Sequence, residues 1–240
     1  MVNSQVITYE VGIIDDPDGY TLIRQNQTIA SPINDTIFKG ELFYFTPNDS
    51  SNWYQVRKFE HKVIETDSTD WMQLYEKWNL PGFVHKTRIV NLESLDKNIQ
   101  AIMIDSVFNI PKIGIKGDHE YVQELFKNKS LHLVEIYHPI LNLFVHYMCQ
   151  YGDEKILDSY FELLLLLSGS PDETIRVAMG YVYECQPEMI IDKIQELDDD
   201  NLIRDLEFGF ISATYGREKE IENYSKLKSE IEKLTTTNNR

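Results

Sequence analysis

The sequence predicts an α+β protein of two domains: a small N-terminal β-barrel with a helical insertion, then an all-α domain built as a bundle or a short solenoid. Up to Val90 the chain is a series of short apolar runs cut by turn residues, the spacing of a small barrel or sandwich. From Asp118 onward the apolar period becomes helical. Within the first stretch Trp71, Tyr75 and Trp78 stand at i, i+4 and i+7, which sets one helix inside the β-rich part. A chain of 240 residues that is 42% hydrophobic and 12% aromatic has the material for two cores.

The first element is a turn. In Asp15-Asp16-Pro17-Asp18-Gly19 proline presets φ and glycine is free to take positive φ. Tyr20 to Ile23 then reads as a strand, followed by Thr36 to Phe38 and Leu42 to Phe45 around Lys39-Gly40-Glu41. The loop Pro47 to Asn52 leads into a strand from Trp53 to Val56. The barrel is expected over residues 1–93, with the insertion at 57–81 capped by Asp70 and stopped by Pro81-Gly82. Residues 94–117 read as a linker or an extra strand: Ile99 to Ile104 is apolar, and Ile110 to Gly117 has the composition of an extended connection.

The helical domain is expected over residues 118–236, with 237–240 as a disordered tail. Its helices read as Glu120 to Lys127, Leu131 to Cys149, Glu154 to Leu167, Asp172 to Glu184, Pro187 to Leu197, Asn201 to Tyr215 and Glu218 to Leu234. Ser170-Pro171-Asp172-Glu173 has the form of a capping box. Pro187 opens another helix, Asp198-Asp199-Asp200 puts negative charge at the start of the next, and Gly216 closes it. Short connections predict antiparallel neighbours.

The β-rich part carries a set of short motifs in order: Asp16-Pro17-Asp18-Gly19-Tyr20-Thr21 with Arg24, Lys39-Gly40-Glu41, Trp53-Tyr54-Gln55-Val56, and Gly82-Phe83-Val84-His85-Lys86-Thr87-Arg88-Ile89. Over about residues 11–90 this resembles the bacterial SH3-like domain family. The resemblance implies a binding module rather than a catalytic one, whose members commonly bind cell-wall peptides or hold another domain in place. It implies a peptide groove at Tyr20, Trp53, Tyr54 and Phe83. Leu22 stands where the family usually has asparagine, and the insertion ahead of Gly82 reshapes the region near the groove.

The charge is -16 and uneven: 13 acids and 8 bases over 1–93, 6 and 5 over 94–150, 20 and 10 over 151–240. Such a field repels phosphate backbones and argues against nucleic acid as a partner. It attracts a basic protein. Glu188, Asp192, Glu196, Asp198, Asp199 and Asp200 are the candidate docking residues, with Lys193 the base among them. An acidic helical domain behind an SH3-like module is compatible with an immunity-type protein that neutralises or scaffolds a basic partner. A cell-wall peptide module is the alternative, and an enzyme with an interdomain site is a third reading.

No motif supports catalysis, a metal or a cofactor. His132, His138 and His146 share one apolar helical stretch, but spacings of six and eight do not give the i, i+4 pair of a helical zinc site. The Asp15 to Gly19 segment lacks the spacing of a calcium loop. There is no phosphate-binding glycine loop and no nucleophile elbow. Cys149 and Cys185 sit in apolar, helix-like contexts; no pairing can be read from their spacing, free buried cysteine is common, and this favours a reducing compartment. The start of the chain has no signal-peptide pattern, so the expectation is cytoplasmic, or periplasmic or secreted if a leader was removed.

Overall fold

A computed structural model of the chain describes residues 10–58, 81–114, 137–167 and 173–237. These divide into two compact units. One takes the residues within Met1–Gln100 and Asp118–Pro139, the other those within Ala101–Gly117 and Ile140–Arg240.

The first unit is a seven-stranded antiparallel sheet: β1 (Glu10–Ile14), β2 (Tyr20–Arg24), β3 (Ile33–Phe38), β4 (Phe43–Thr46), β5 (Trp53–Lys58), β6 (Gly82–His85) and β7 (Ile89–Asn91). Its order is β3-β2-β6-β5-β4-β1-β7. The strands follow from alternation: on β4, Phe43 and Phe45 face inward and their neighbours Tyr44 and Thr46 are half-exposed. Ile14, Ile23, Ile37, Phe43, Phe45, Val56 and Val84, from six different strands, close on one core. The sheet is therefore curled.

The expected closed barrel is not formed, because β3 and β7 remain as edges. The reason lies on β3. The Thr36 N–H donates to Asp35 Oδ1 (2.7 Å) and the Phe38 N–H to Glu41 Oε2 (2.8 Å), while the Thr36 carbonyl accepts from Lys58 Nζ (2.8 Å). Side chains thus occupy backbone groups that a closing strand would need, a common protection of sheet edges. The expected insertion at 57–81, with Trp71, Tyr75 and Trp78, lies outside the described residues apart from its ends.

A second correction concerns residues 94–117. In place of a linker or extra strand there is a helix, α1 (Lys97–Gly114). Its inward residues Gln100, Ile104, Val107 and Phe108 fall at i, i+4, i+7 and i+8, the helical stripe. Gln100 is buried and its Nε2 donates to the Glu93 and Leu95 carbonyls.

The second unit continues α1 from Ala101 and adds α2 (residues 137–151, in this unit from Ile140), α3 (Glu154–Leu166), α4 (Thr174–Cys185), α5 (Pro187–Leu197), α6 (Asp200–Thr214) and α7 (Tyr224–Thr237). Their ends follow local chemistry. Asp153 caps α3 and accepts the Tyr147 hydroxyl at 2.8 Å. Pro187 occupies the first turn of α5, Asp198 closes that helix in the left-handed region (φ 50°), and Asp199 caps α6 by accepting the Asn201 N–H at 2.9 Å. Gly216 follows α6 with φ +77°. The helix α4 starts at Thr174 without a side-chain cap, and Ser170 to Asp172 of the expected capping box lie outside the described residues. So do the expected helix Glu120 to Lys127 and residues 238–240 of the expected tail; Thr237 ends α7.

The helices are joined through specific side-chain pairs. Arg176 Nε bonds Asp205 Oδ1 (2.8 Å), Tyr183 meets Phe210 ring on edge (5.4 Å) and Glu184 pairs with Arg217 (2.9 Å), so α4 and α6 run parallel and in contact, with α5 as the connection that returns the chain. Cys149 and Cys185, at the C-terminal ends of α2 and α4, are joined by a disulfide with a Cα–Cα distance of 5.5 Å. The spacing of the two cysteines gave no sign of this pairing, and the bridge removes the reading of common free buried cysteines. Thirty-six positions apart in sequence, they meet because two helices end side by side. Cys185 is exposed and Cys149 half-buried. The inference toward a reducing compartment loses its premise, since stable disulfides belong chiefly to oxidising ones.

Several phenols are held neutral. Burial raises the pKa of Tyr44 and Tyr183, and Glu230 beside Tyr183 adds to the rise there. A phenol whose folded-state pKa is raised contributes stability below its unfolded pKa of about 10, and loses it as pH climbs from there toward the folded value. Thermal stability should therefore fall above about pH 10, with the phenolate absorbance of these buried tyrosines rising together with unfolding rather than before it. Free titration of all tyrosines in the native state would contradict this.

Candidate functional site

A groove of about 400 Å³ opens on the outer face of the sheet unit. Alternate residues of β2 supply one wall: Tyr20, Leu22 and Arg24. Trp53 on β5 and His85 on β6 supply the floor, directly paired in register with rings edge-on at 5.4 Å. Ile29, 76% exposed, stands at the rim. Asp16 and Arg88 close the other side through a 2.9 Å ion pair. The Asp16 carboxylate is nearly buried and also accepts the Asp18 N–H, so the turn predicted at Asp15 to Gly19 holds it in place. Gly19 takes φ +77° there, and its N–H donates to the Asp16 carbonyl at 2.9 Å. His85 Nδ1 lies 2.9 Å from the Thr87 hydroxyl, and Arg24 donates to the Ser31 carbonyl at 2.8 Å. Asp16, Arg88 and Arg24 are thereby fixed before any ligand arrives.

Of the four aromatic residues expected in a peptide groove, Tyr20 and Trp53 line this one. Tyr54 does not. Neighbours along a strand point to opposite faces, so Trp53 and Tyr54 cannot share a groove. Tyr54 turns inward and stacks on Phe45 at 5.7 Å. Phe83 shares the outer face but sits opposite Arg24, one step beyond the lining. Sequence reasoning missed Asp16, Arg88, Ile29 and Arg24 as groove residues. Asp16 and Arg88 stand 72 positions apart, and only the pairing of β1 with β7, which seats Ile14 opposite Ile89, brings them together.

The acidic candidates lie on the helical unit. Glu188, Asp192 and Glu196 follow one another at i, i+4, i+8 on the exposed side of α5, opposite the buried Ile190 and Ile194. Asp198 and Asp200 are exposed beyond them, and Asp199 is engaged as the cap of α6. Lys193 neutralises part of this line: its ammonium bonds Asp158 at 2.6 Å and Glu196 at 2.8 Å, and these bonds raise its pKa. Glu188 and Asp192 are left as the open charges of α5.

Among the described residues no group of three or more histidines, cysteines or carboxylates converges as metal ligands would. His146 Nε2 meets Gln150 Oε1 at 3.1 Å on its own helix, and His61, His119 and His132 lie outside the described residues. No described helix is long and apolar enough to cross a membrane. Compared with known proteins, the chain matches no family model, no curated protein and no solved structure.

Proposed function

We propose that this protein acts by non-catalytic recognition of another protein, gripping a peptide segment in the groove of its SH3-like sheet unit. The supporting observation is that Tyr20 and Trp53 line one open groove with exposed Ile29 and the preset Asp16–Arg88 pair. An apolar floor with a few fixed polar groups is the form that orients a ligand. Strand addition at the β3 edge is disfavoured, because Asp35, Glu41 and Lys58 already hold its backbone groups. The groove favours a ligand lying across the face. The open acidic line Glu188–Asp192 favours a second contact on α5 that selects a basic partner, the property of an immunity-like or scaffolding protein.

The test is affinity capture from lysate of the source organism at low and moderate salt, with wild type, Trp53→Ala and Glu188→Lys/Asp192→Lys compared. Trp53→Ala should reduce capture of one stoichiometric protein by about tenfold or more, the scale of an aromatic anchor. The charge variant should flatten the salt dependence instead. Undiminished capture by a folded Trp53→Ala protein would sink the groove reading. Co-sedimentation with cell-wall sacculi that Trp53→Ala abolishes would instead move the ligand to peptidoglycan peptides.

A further inference from the structure

The groove of the sheet unit is electrically polar along β2. The Asp16–Arg88 pair neutralises itself at 2.9 Å, so two other lining groups, Asp18 and Arg24, set the field a ligand meets. Asp18 is exposed in the turn that enters β2, and the turn uses its backbone N–H rather than its carboxylate. Arg24 ends β2 and is half-buried. Its side chain donates to the Ser31 carbonyl at 2.8 Å, and among the described residues no carboxylate pairs with it. In a chain of net charge -16 this is a guanidinium held apart from acids. Its fork of N–H donors matches a carboxylate.

The Arg24 end of the groove is also the end that is blocked. Loop 25–32 follows Arg24 and is bonded within itself: the Asn26 N–H donates to Ser31 Oγ at 2.9 Å and the Gln25 N–H to the Pro32 carbonyl at 3.0 Å. Ser51 Oγ donates to Gln27 Oε1 at 2.9 Å and accepts the Trp53 N–H at 3.0 Å, which ties this loop to the start of β5. A ligand chain laid over Tyr20 and Leu22 toward Arg24 therefore meets a fixed loop beside a fixed positive charge. An internal segment would have to climb over that loop, whereas a chain end stops there and brings a carboxylate with it. Leu22, Ile29 and Trp53 are the apolar lining available to its last side chain. Tyr20 and Arg24 are four positions apart on the strand, about 13 Å, which an extended ligand spans in about four residues.

We propose that the groove captures the C-terminus of its protein partner. The terminal carboxylate bonds Arg24, an apolar last side chain seats among Leu22, Ile29 and Trp53, and a lysine or arginine about four residues upstream meets Asp18. The inference rests on the groove reading and deepens it by naming the segment that is gripped.

The experiment screens the full chain against a random short-peptide library synthesised twice, with free carboxylate and with carboxamide C-termini, and measures selected peptides by fluorescence anisotropy. Binders should come from the free-acid library and end in an apolar residue. Amidating a binder should weaken it about tenfold or more, as should Arg24→Gln, and the two losses should not add, because both remove one charge-assisted bond. Asp18→Asn, at an exposed position, should erase the preference for a basic residue upstream and keep the preference for acid over amide. Should Arg24→Gln fold poorly, Arg24→Lys takes its place and should reduce that preference by loss of the fork. Equal binding of acid and amide, additive losses, or no binder in the free-acid library would overturn the proposal. So would binders that need an internal aspartate or glutamate and ignore amidation, which would put a side-chain carboxylate on Arg24. Failure of the groove reading looks different: Trp53→Ala then leaves every binder unaffected. If only the present inference fails, Trp53→Ala still weakens binding while acid and amide bind alike.

Discussion

Replacing Gly209 with alanine should lower the stability of the helical unit by about 2 kcal/mol or more, although alanine is the better helix former. Propensity alone would favour the alanine by about 1 kcal/mol. Packing opposes it. A Cβ at Gly209 would fall on the Arg176 carbonyl oxygen, and one at Gly180 on the Gly209 carbonyl, both well inside the 3.0 Å that Cβ atoms essentially never cross. The obstacle is backbone in each case, so no rotamer change relieves it. The helices must separate, and Tyr183 against Phe210 and Arg176 with Asp205 loosen with them. Overpacking of this kind typically costs about 1–3 kcal/mol, and here it sits at the principal helix–helix contact. Thermal melts should show Gly209→Ala and Gly180→Ala each lower by about 5 °C or more. The double variant should cost less than the sum, since the first substitution has already moved the helices apart. Unchanged or raised melting temperatures would show that the close approach is not real.

That contact illustrates what the sequence withheld. Helix ends were legible because their determinants are local: Pro187 at the start of α5, the aspartates between α5 and α6, Gly216 after α6. The strands from Tyr20 and Trp53 were legible for the same reason. Residues 97–114 were misread because Pro111 and Gly114 suggested an extended connection, while the stripe Gln100, Ile104, Val107, Phe108 was the stronger signal. Gly180 and Gly209 each interrupt an apolar period, and a helix-interior glycine asks for a packing reason. Which glycine meets which is a tertiary fact.

The groove divides in the same way. Tyr20 and Trp53 were found through motif order. The exclusion of Tyr54 needed only strand alternation applied to two adjacent aromatics. The Asp16–Arg88 pair needed the pairing of β1 with β7 and had no sequence signal at all. The open sheet was equally hidden, since it depends on Lys58 reaching from β5 to the β3 edge, three places away in the sheet.

The second large effect should come from Cys149 and Cys185. Their disulfide closes a loop spanning α2 to α4, 36 positions in sequence, and the loss of chain entropy in the unfolded state corresponds to about 4 kcal/mol in the simplest model, with about 2–4 typical. The protein isolated without reductant should be two hydrogens lighter than the dithiol and should resist alkylation. Reductant should lower its melting temperature, since Cys185 is an exposed residue that a thiol can approach. Cys149→Ser/Cys185→Ser should melt at the reduced protein's temperature and ignore reductant. If the oxidised and reduced proteins melt together, the bridge contributes no stability, and α4 is held by Gly180 on Gly209 and by Tyr160, whose hydroxyl donates to the Ile175 carbonyl at 2.6 Å. The two predictions are coupled through α4. The disulfide fixes its C-terminal end to α2 and the glycine contact fixes its middle to α6, so a chain lacking both should lose the parallel stacking of α2, α4 and α6 before it loses helix content. Near-ultraviolet dichroism, which reports the packed tyrosines, should collapse at lower temperature than the far-ultraviolet signal in the triple variant Cys149→Ser/Cys185→Ser/Gly209→Ala.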